Sequence, residues 1–427
     1  MLSLAAPAGA AVYPPETIYT GPKSAPPIAR PGYLQSVIDP VFGTKITRIS
    51  DESMNLGQAG YMQHHYSKDQ PWNSDMTLIK LHMANAILDA KTLQVFKKGT
   101  YKNEAKWSTV DPNIIFYVSG NQFRKWNVRT DADIVLHTFS SPIEIGSYEG
   151  NLSIGDRYVV LNMGGMSTAV VYDILNDAII ATGNVGAAAD DWMTISADGN
   201  YVLLSNVGTV AGLQSRDRNL TPLRTLFGNA SHGDSGLDIA GNPVYAQVGS
   251  TEKVRLDTGE VTKLLPGYSF QGHLSMRSYL RPGWALITAS GGNSEIFAIK
   301  LDGSNIVQRF AHTRSIGSSY DAQPKGVISP DGSKVMWNSD WGGGTVYAYI
   351  AEMPGNGTTP PPPPPLAANR CNINGDSATN VVDVQLSVNQ ALGVAACGAD
   401  INQDGLCNVV DVQRVVNAAQ GGPCVSP

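Results

Sequence analysis

Seven times along the chain a short apolar segment is followed by a polar turn of Ser, Pro, Asp or Gly and then by a β-branched strand. The copies read QPWNSDMTLIKL from Gln70, AKWSTVDPNIIFYV from Ala105, GNLSIGDRYVVLN from Gly150 and DWMTISADGNYVLLSN from Asp191. They continue as GDSGLDIAGNPVYAQV from Gly233, HLSMRSYLRPGWALITAS from His273 and PKGVISPDGSKVMWNSD from Pro324. The turn anchors Asp75, Asp111, Asp156, Asp198, Gly241, Gly283 and Asp331 recur at intervals of roughly 40 residues, the period of propeller blades. The strands after each turn alternate or run apolar in Val, Ile, Tyr and Leu, and no long helical period intervenes. Blade one fills out as Gln70–Asn73, Thr77–Met83, Ala84–Asp89 and Gln94–Lys98. The seventh copy shows three strands, ending near 346–350, whereas Thr44–Ser50 precedes the first copy and lacks a partner. The pattern therefore predicts an all-β, seven-bladed β-propeller over residues 44–353, closed by that early strand acting as the fourth of blade seven.

Composition agrees with this reading and removes other classes. With 44 glycines and only 15% charged residues the chain is turn-rich rather than helical. The net charge of −6, with no Lys/Arg cluster, excludes nucleic acid and anionic membrane surfaces as expected partners. No apolar run approaches the roughly 20 residues of a spanning helix. Residues 1–43 read as a signal-peptide remnant, with an Ala-x-Ala-like exit within Met1 to Val12 but no basic n-region, followed by a proline-rich arm. Six consecutive prolines, Pro360 to Pro365, mark residues 354–370 as a semi-rigid polyproline II spacer.

The last segment, 371–427, holds all four cysteines, Cys371, Cys397, Cys407 and Cys424. An even number confined to a small domain points to two disulfides and a secreted or cell-surface setting, with three connectivities open. No Cys-x-x-Cys pair or nearby His supports zinc. DINQDGLCNVVD sets Asp400, Asn402, Asp404, Asn408 and Asp411 at positions 1, 3, 5, 9 and 12 of a calcium loop, with Gly405 at the sharp turn and the Leu406 carbonyl at position 7. NINGDSATNVVD sets Asn372, Asn374, Asp376, Asn380 and Asp383 on the same positions. An amphipathic helical pattern follows each loop, VVDVQLSVNQAL and VVDVQRVVNAAQ. These tandem loop–helix repeats, from about Cys371 to Cys424, resemble the type I dockerin family. The resemblance implies a small α-helical, EF-hand-like domain with two Ca2+ sites that docks onto a cohesin-like partner. Loop one departs from the pattern, with Asn372 at position 1 and Ser377 at position 6, so loop two is expected to bind calcium more tightly.

Within the propeller, five of the seven histidines fall just before or at the start of a repeat's first strand: His64, His65, His232, His273 and His312. The same segments carry Glu104, Glu149, Asp190, Asp191, Asp234, Tyr320, Asp321 and Gln323, with Arg277 four residues past His273. Innermost strands of a propeller begin on one face, so these side chains are expected to converge there. Tyr66, Trp72 and Trp192 offer aromatic surface for sugars. Convergent His, Tyr, Arg and carboxylates suit β-elimination from a uronic-acid polymer, in which a cation neutralises the C5 carboxylate and a base removes the C5 proton. In blade number and His-bearing loops the chain resembles the propeller polysaccharide lyases of the oligogalacturonate and ulvan lyase groups. The resemblance implies an acidic polysaccharide substrate and a divalent metal in the channel. His65, His232 and His273 are then the base or metal ligands, and Arg277 the carboxylate neutraliser. The competing expectation is a non-catalytic extracellular propeller that binds glycan or protein or assembles into a surface structure.

Overall fold

Each sequence repeat folds into one antiparallel sheet, and the seven sheets form a seven-bladed β-propeller. The computed structural model describes residues 11–54, 62–165, 167–185, 192–206, 212–228, 231–290, 294–317, 319–354, 370–374, 379–402, 404–420 and 424. It divides into two compact units, Met1–Thr358 and Thr359–Pro427.

The turn anchors act through their side chains. The carboxylates of Asp75, Asp111, Asp198 and Asp331 accept the backbone N–H two residues on, at 2.9–3.2 Å, which fixes the bend before the second strand of the blade. Asp156 departs from this. It is buried and instead accepts the Thr109 N–H and hydroxyl of blade two at 2.8 Å, tying adjacent turns together.

The innermost strands position the candidate site. They are Lys106–Trp107 in blade two, Ile143–Glu144 in three, Trp192–Ile195 in four, Gly233–Leu237 in five, Gly272–Ser275 in six and Val327–Ile328 in seven. In blade one the equivalent is a single bridge between Trp72 and Ile79. Blade three has an interrupted inner edge, since Leu152 bridges Val159 while Ile143–Glu144 pairs further along the same strand. The break begins at Gly146, where the chain has φ +59° and an added Cβ would lie 1.7 Å from the Met193 carbonyl oxygen, so only glycine fits. It lifts Tyr148 and Glu149 out of the sheet.

Ring closure follows the sequence expectation. Lys45–Arg48 pairs with Tyr347–Glu352, bringing Thr47 opposite Ile350. The proline-rich segment does more than precede the ring. Its Ser36–Ile38 extends blade seven to five strands, and Glu16–Ile18 does the same for blade six. Apolar cores fill the spaces between blades: Trp107 and Tyr117 between one and two, Tyr172 and Ile143 between two and three, Leu274 and Val244 between five and six.

The second unit contains two helices, α1 (Val381–Ala391) and α2 (Val409–Ala419). Both begin with the same capping box, Asn380 with Asp383 and Asn408 with Asp411. Disulfides join Cys371 to Cys424 and Cys397 to Cys407, and Cys371, Ile401 and Val415 form the small buried core. Among the described residues, no helix is long and apolar enough to cross a membrane. The N-terminal Met1–Ala10, most of the spacer, Asp376 and Ser377 of loop one, and Asp190 and Asp191 lie outside the described residues.

Candidate functional site

The backbone bond that closes each turn gives the blades a common register. Asn73, Ser108, Ser153, Ser196, Asp238 and Ser329 donate their N–H groups to the first residues of the following strands. Four residues before each of these stand Asp69, Glu104, Glu149, Trp192, Asp234 and Lys325. The start of the inner strands thus carries charged side chains in five of these six blades, with Trp192 in blade four, and its carboxylates are mostly paired. Asp69 is buried and meets Lys80 at 3.0 Å and Lys106 at 3.8 Å. Glu149 meets Lys68 at 2.7 Å, and Asp234 holds Arg277 through two bonds of 2.8 Å. Burial pushes the Glu104 carboxyl up to about 7; its Oε2 accepts the Ile145 N–H, whereas Oε1 has no hydrogen-bond partner.

Of the expected histidines, His232 and His273 come together here, and His65 neighbours them through Tyr66. His232 and His273 stack with ring centroids 4.8 Å apart and planes 9° from parallel. Tyr66 lies edge-on to His273 at 5.2 Å, and His65 lies 6.4 Å from Tyr66 and 3.4 Å from the Asp69 carboxylate. His82, not singled out from the sequence because it follows a second strand, extends this chain of rings, 5.1 Å from His65. His232 is exposed, and its Nδ1 lies 2.8 Å from the Gly272 carbonyl. A carbonyl only accepts, so Nδ1 carries the proton and Nε2 of the neutral ring holds the lone pair. His273 is buried with neither ring nitrogen bonded, and burial holds its pKa well below the usual range, with His232, Lys325 and Lys68 adding to the effect. It is a neutral imidazole.

Other expected groups are placed differently. Arg277 gives its guanidinium to Asp234 and to the Ser235 carbonyl at 2.6 Å, a half-buried arginine on a buried carboxylate joining blades five and six. His312 closes the outer strand of blade six, where it contacts Asp39 at 3.2 Å and the Lys23 carbonyl at 3.0 Å beneath Phe42. It belongs to the anchorage of the N-terminal segment. Trp72 and Trp192 are core residues rather than sugar platforms, and Trp192 carries the Lys68 ammonium 3.7 Å above its ring. Tyr101, Tyr148 and Tyr320 are among the exposed aromatics.

Side-chain amides bridge the inner strands of different blades. Gln70 donates to the carbonyls of Arg277 and Ile328 at 2.9 Å, and Asn151 to that of Lys68 at 3.0 Å. The cavity left among Asp69, Lys106, Asn151, Arg277 and Tyr279 is about 30 Å³, room for water but not for a sugar ring.

Lys325, absent from the sequence expectations, stands among these groups. It has φ +46° and is buried, and its ammonium lies 3.4 Å above the Tyr320 ring and 6.0 Å from the centre of Tyr66. Burial lowers its pKa to about 8. Its signal in the sequence was positional, six residues before the turn anchor Asp331, as Asp69 is before Asp75.

A divalent metal is not matched by these residues. Imidazole binds a metal through a lone pair in its ring plane, and parallel stacked rings cannot both aim theirs at one ion. Among the described residues, no group of three or more His, Cys, Asp or Glu side chains is disposed to hold one.

In the second unit the loop-two side chains do converge. Asp400 accepts the N–H groups of Asp404 and Gly405 at 3.1 and 2.9 Å, while Asp404 meets the Asn402 and Asn408 amides at 2.8 and 3.5 Å. Gly405 has φ +86°, the left-handed turn that position 6 requires. Asp411 is buried, accepting Ile401 and Asn402 on Oδ1 and Asn408 on Oδ2. Asp383 repeats this with Ile373, Asn374 and Asn380.

No protein-family model and no curated protein sequence matches this chain. Solved structures match the propeller. An oligogalacturonate lyase in complex with manganese is similar with TM-score 0.54 at 15% identity, covering 76% of this chain and 97% of its own. An oligogalacturonate lyase from Vibrio parahaemolyticus is similar with TM-score 0.53 at 15% identity, over 75% of this chain and 97% of its own. At this identity the likeness establishes the propeller fold.

Proposed function

We propose that this is a secreted protein whose propeller cleaves an acidic, uronate-containing polysaccharide by β-elimination and whose C-terminal unit is a calcium-dependent docking module. The observation that carries the first part is the exposed His232, its tautomer set by the Gly272 carbonyl, stacked on neutral His273 beside buried cations. His232 Nε2 is the base that takes the C5 proton; the C–H electron pair becomes the C4=C5 double bond as the C4–O bond breaks. The leaving oxygen is protonated from solvent or from Tyr66. Lys325 supplies the positive field for the C5 carboxylate, a role that Arg277 and Lys68 cannot fill while paired to Asp234 and Glu149. The likeness to oligogalacturonate lyases supports the substrate class.

The docking reading rests on the paired loops. Asp400, Asn402, Asp404, Asn408 and Asp411 offer hard oxygens to one Ca2+, and Asn372, Asn374, Asp376, Asn380 and Asp383 to another. Exposed valine pairs, Val381–Val382 and Val409–Val410, stand at the same place on both helices and give a cohesin-like partner an apolar surface.

The test is incubation with pectate, alginate and ulvan while following absorbance of the unsaturated uronate. We expect one substrate to be cleaved and His232→Ala to lower kcat by about 100-fold or more. Binding without cleavage would assign the non-catalytic reading, and neither binding nor cleavage would remove the polysaccharide reading altogether.

A further inference from the structure

We infer that Lys325 is a built-in cation that binds the substrate's C5 carboxylate, so that the elimination proceeds without a divalent metal. The inference rests on the lyase reading above and specifies its chemistry.

In β-elimination the C5 proton becomes acidic only when the adjacent carboxylate is neutralised, and some cation must do this. The ring of inner-strand starts contains one lysine, Lys325, in the position where four other blades carry Asp69, Glu104, Glu149 and Asp234. Three of those carboxylates are matched by a cation within 3.0 Å. Lys325 has no carboxylate within 4.0 Å among the described residues, although Asp321 and Glu149 are near enough to favour its charged form. Its neighbours are instead the faces of Tyr320 and Tyr66 and the neutral rings of His64 and His273. A positive charge held in such surroundings without a counter-ion is costly unless an anion arrives to complete it. The same charge repels a second cation from the unpartnered nitrogens of His273, and the stacking of His232 on His273 denies an ion two converging lone pairs. The cluster therefore has the charge of a metal centre but the donor geometry of an ammonium site. The anion that completes it is a carboxylate on a sugar whose C5 faces His232.

Tyr320 lies against the ammonium and is itself largely exposed, so substrate entry exchanges a cation–π contact for a carboxylate. Elimination balances with no co-reactant: His232 gains the C5 proton, the C5–H electron pair becomes the C4=C5 double bond, the C4–O pair departs with the leaving oxygen, which takes a proton from solvent, and His232 returns its proton to solvent.

The full-length protein, dialysed against EDTA and returned to metal-free buffer with calcium alone, is assayed on the substrate that the polysaccharide panel identifies. Wild type is expected to keep its rate within about twofold after this treatment, with no gain from added Mn2+. Lys325→Met is expected to lose about 100-fold or more in kcat/KM while retaining its thermal unfolding midpoint, and Lys325→Arg to recover a substantial part of the loss. Because the Lys325 ammonium loses its proton near pH 8, wild-type activity falls as pH rises through that value, and Lys325→Arg moves the fall to higher pH. Loss of cleavage with EDTA and its restoration by Mn2+ would overturn the inference while leaving the lyase reading intact. Full activity in Lys325→Met would do the same. Absence of cleavage in untreated wild type would remove both.

Discussion

At the scale of single residues, function here depends on which charges are already spent on one another. Arg277 and Asp234 illustrate this. Asp234 is buried and accepts the Met276 N–H at 2.8 Å as well as the guanidinium, while Arg277 also reaches the Ser235 carbonyl. Removing the arginine leaves a buried carboxylate without its cation. We therefore expect Arg277→Ala to destabilise the propeller by about 3–5 kcal/mol, seen as a lower denaturation midpoint. If the variant keeps wild-type stability and loses only substrate affinity, Arg277 is a ligand of the substrate carboxylate and the structural assignment is wrong. His312 makes the same point from another direction. Its place in the sequence, before a repeat, matched that of His232 and His273, yet the chain turns it outward onto Asp39. Sequence position identified a loop and could not tell which side of the strand's end it would occupy.

At the scale of elements, the repeat was legible because each blade encodes its own turn and its own apolar strand. Asp75, Asp111, Asp198 and Asp331 bend the chain by local hydrogen bonds, which depend on spacing alone. The closing strand was legible from its lack of a partner. What stayed hidden depends on contacts between blades. The outer strands Glu16–Ile18 and Ser36–Ile38 are three residues each, too short and exposed for a periodic pattern. Lys325 and the pairing of Asp69 with Lys106 arise only when separate blades meet. The two C-terminal loops stood out in the sequence because the side chains proposed as Ca2+ donors all lie within twelve residues. At Gly405, φ is +86° in the sharp turn, and a side chain there is strained by about 1 kcal/mol. Calorimetric titration of the protein with Ca2+ is expected to resolve two affinities, with Gly405→Ala weakening the tighter one. Two equal sites in wild type would show that the third carboxylate of loop two confers no advantage.

At the scale of the whole molecule, the two units hold themselves together by different means. The propeller buries long apolar strands between blades and closes its ring with a strand from the start of the chain. The C-terminal unit has five residues in its buried cluster, two disulfides and two loops that we propose bind Ca2+. So small a core supplies little stability without such links. A ligand that binds only the folded form stabilises the unit that contains its site and no other. Calorimetric melting is therefore expected to show two transitions, of which one moves upward with Ca2+ and downward with EDTA. Reductant should lower that same transition, and the two treatments together should abolish it, while the propeller transition stays in place. A single transition that calcium moves as a whole would instead mean that the units unfold together. A propeller transition that EDTA lowers would locate a structural metal in the blades, against the ammonium site assigned to Lys325.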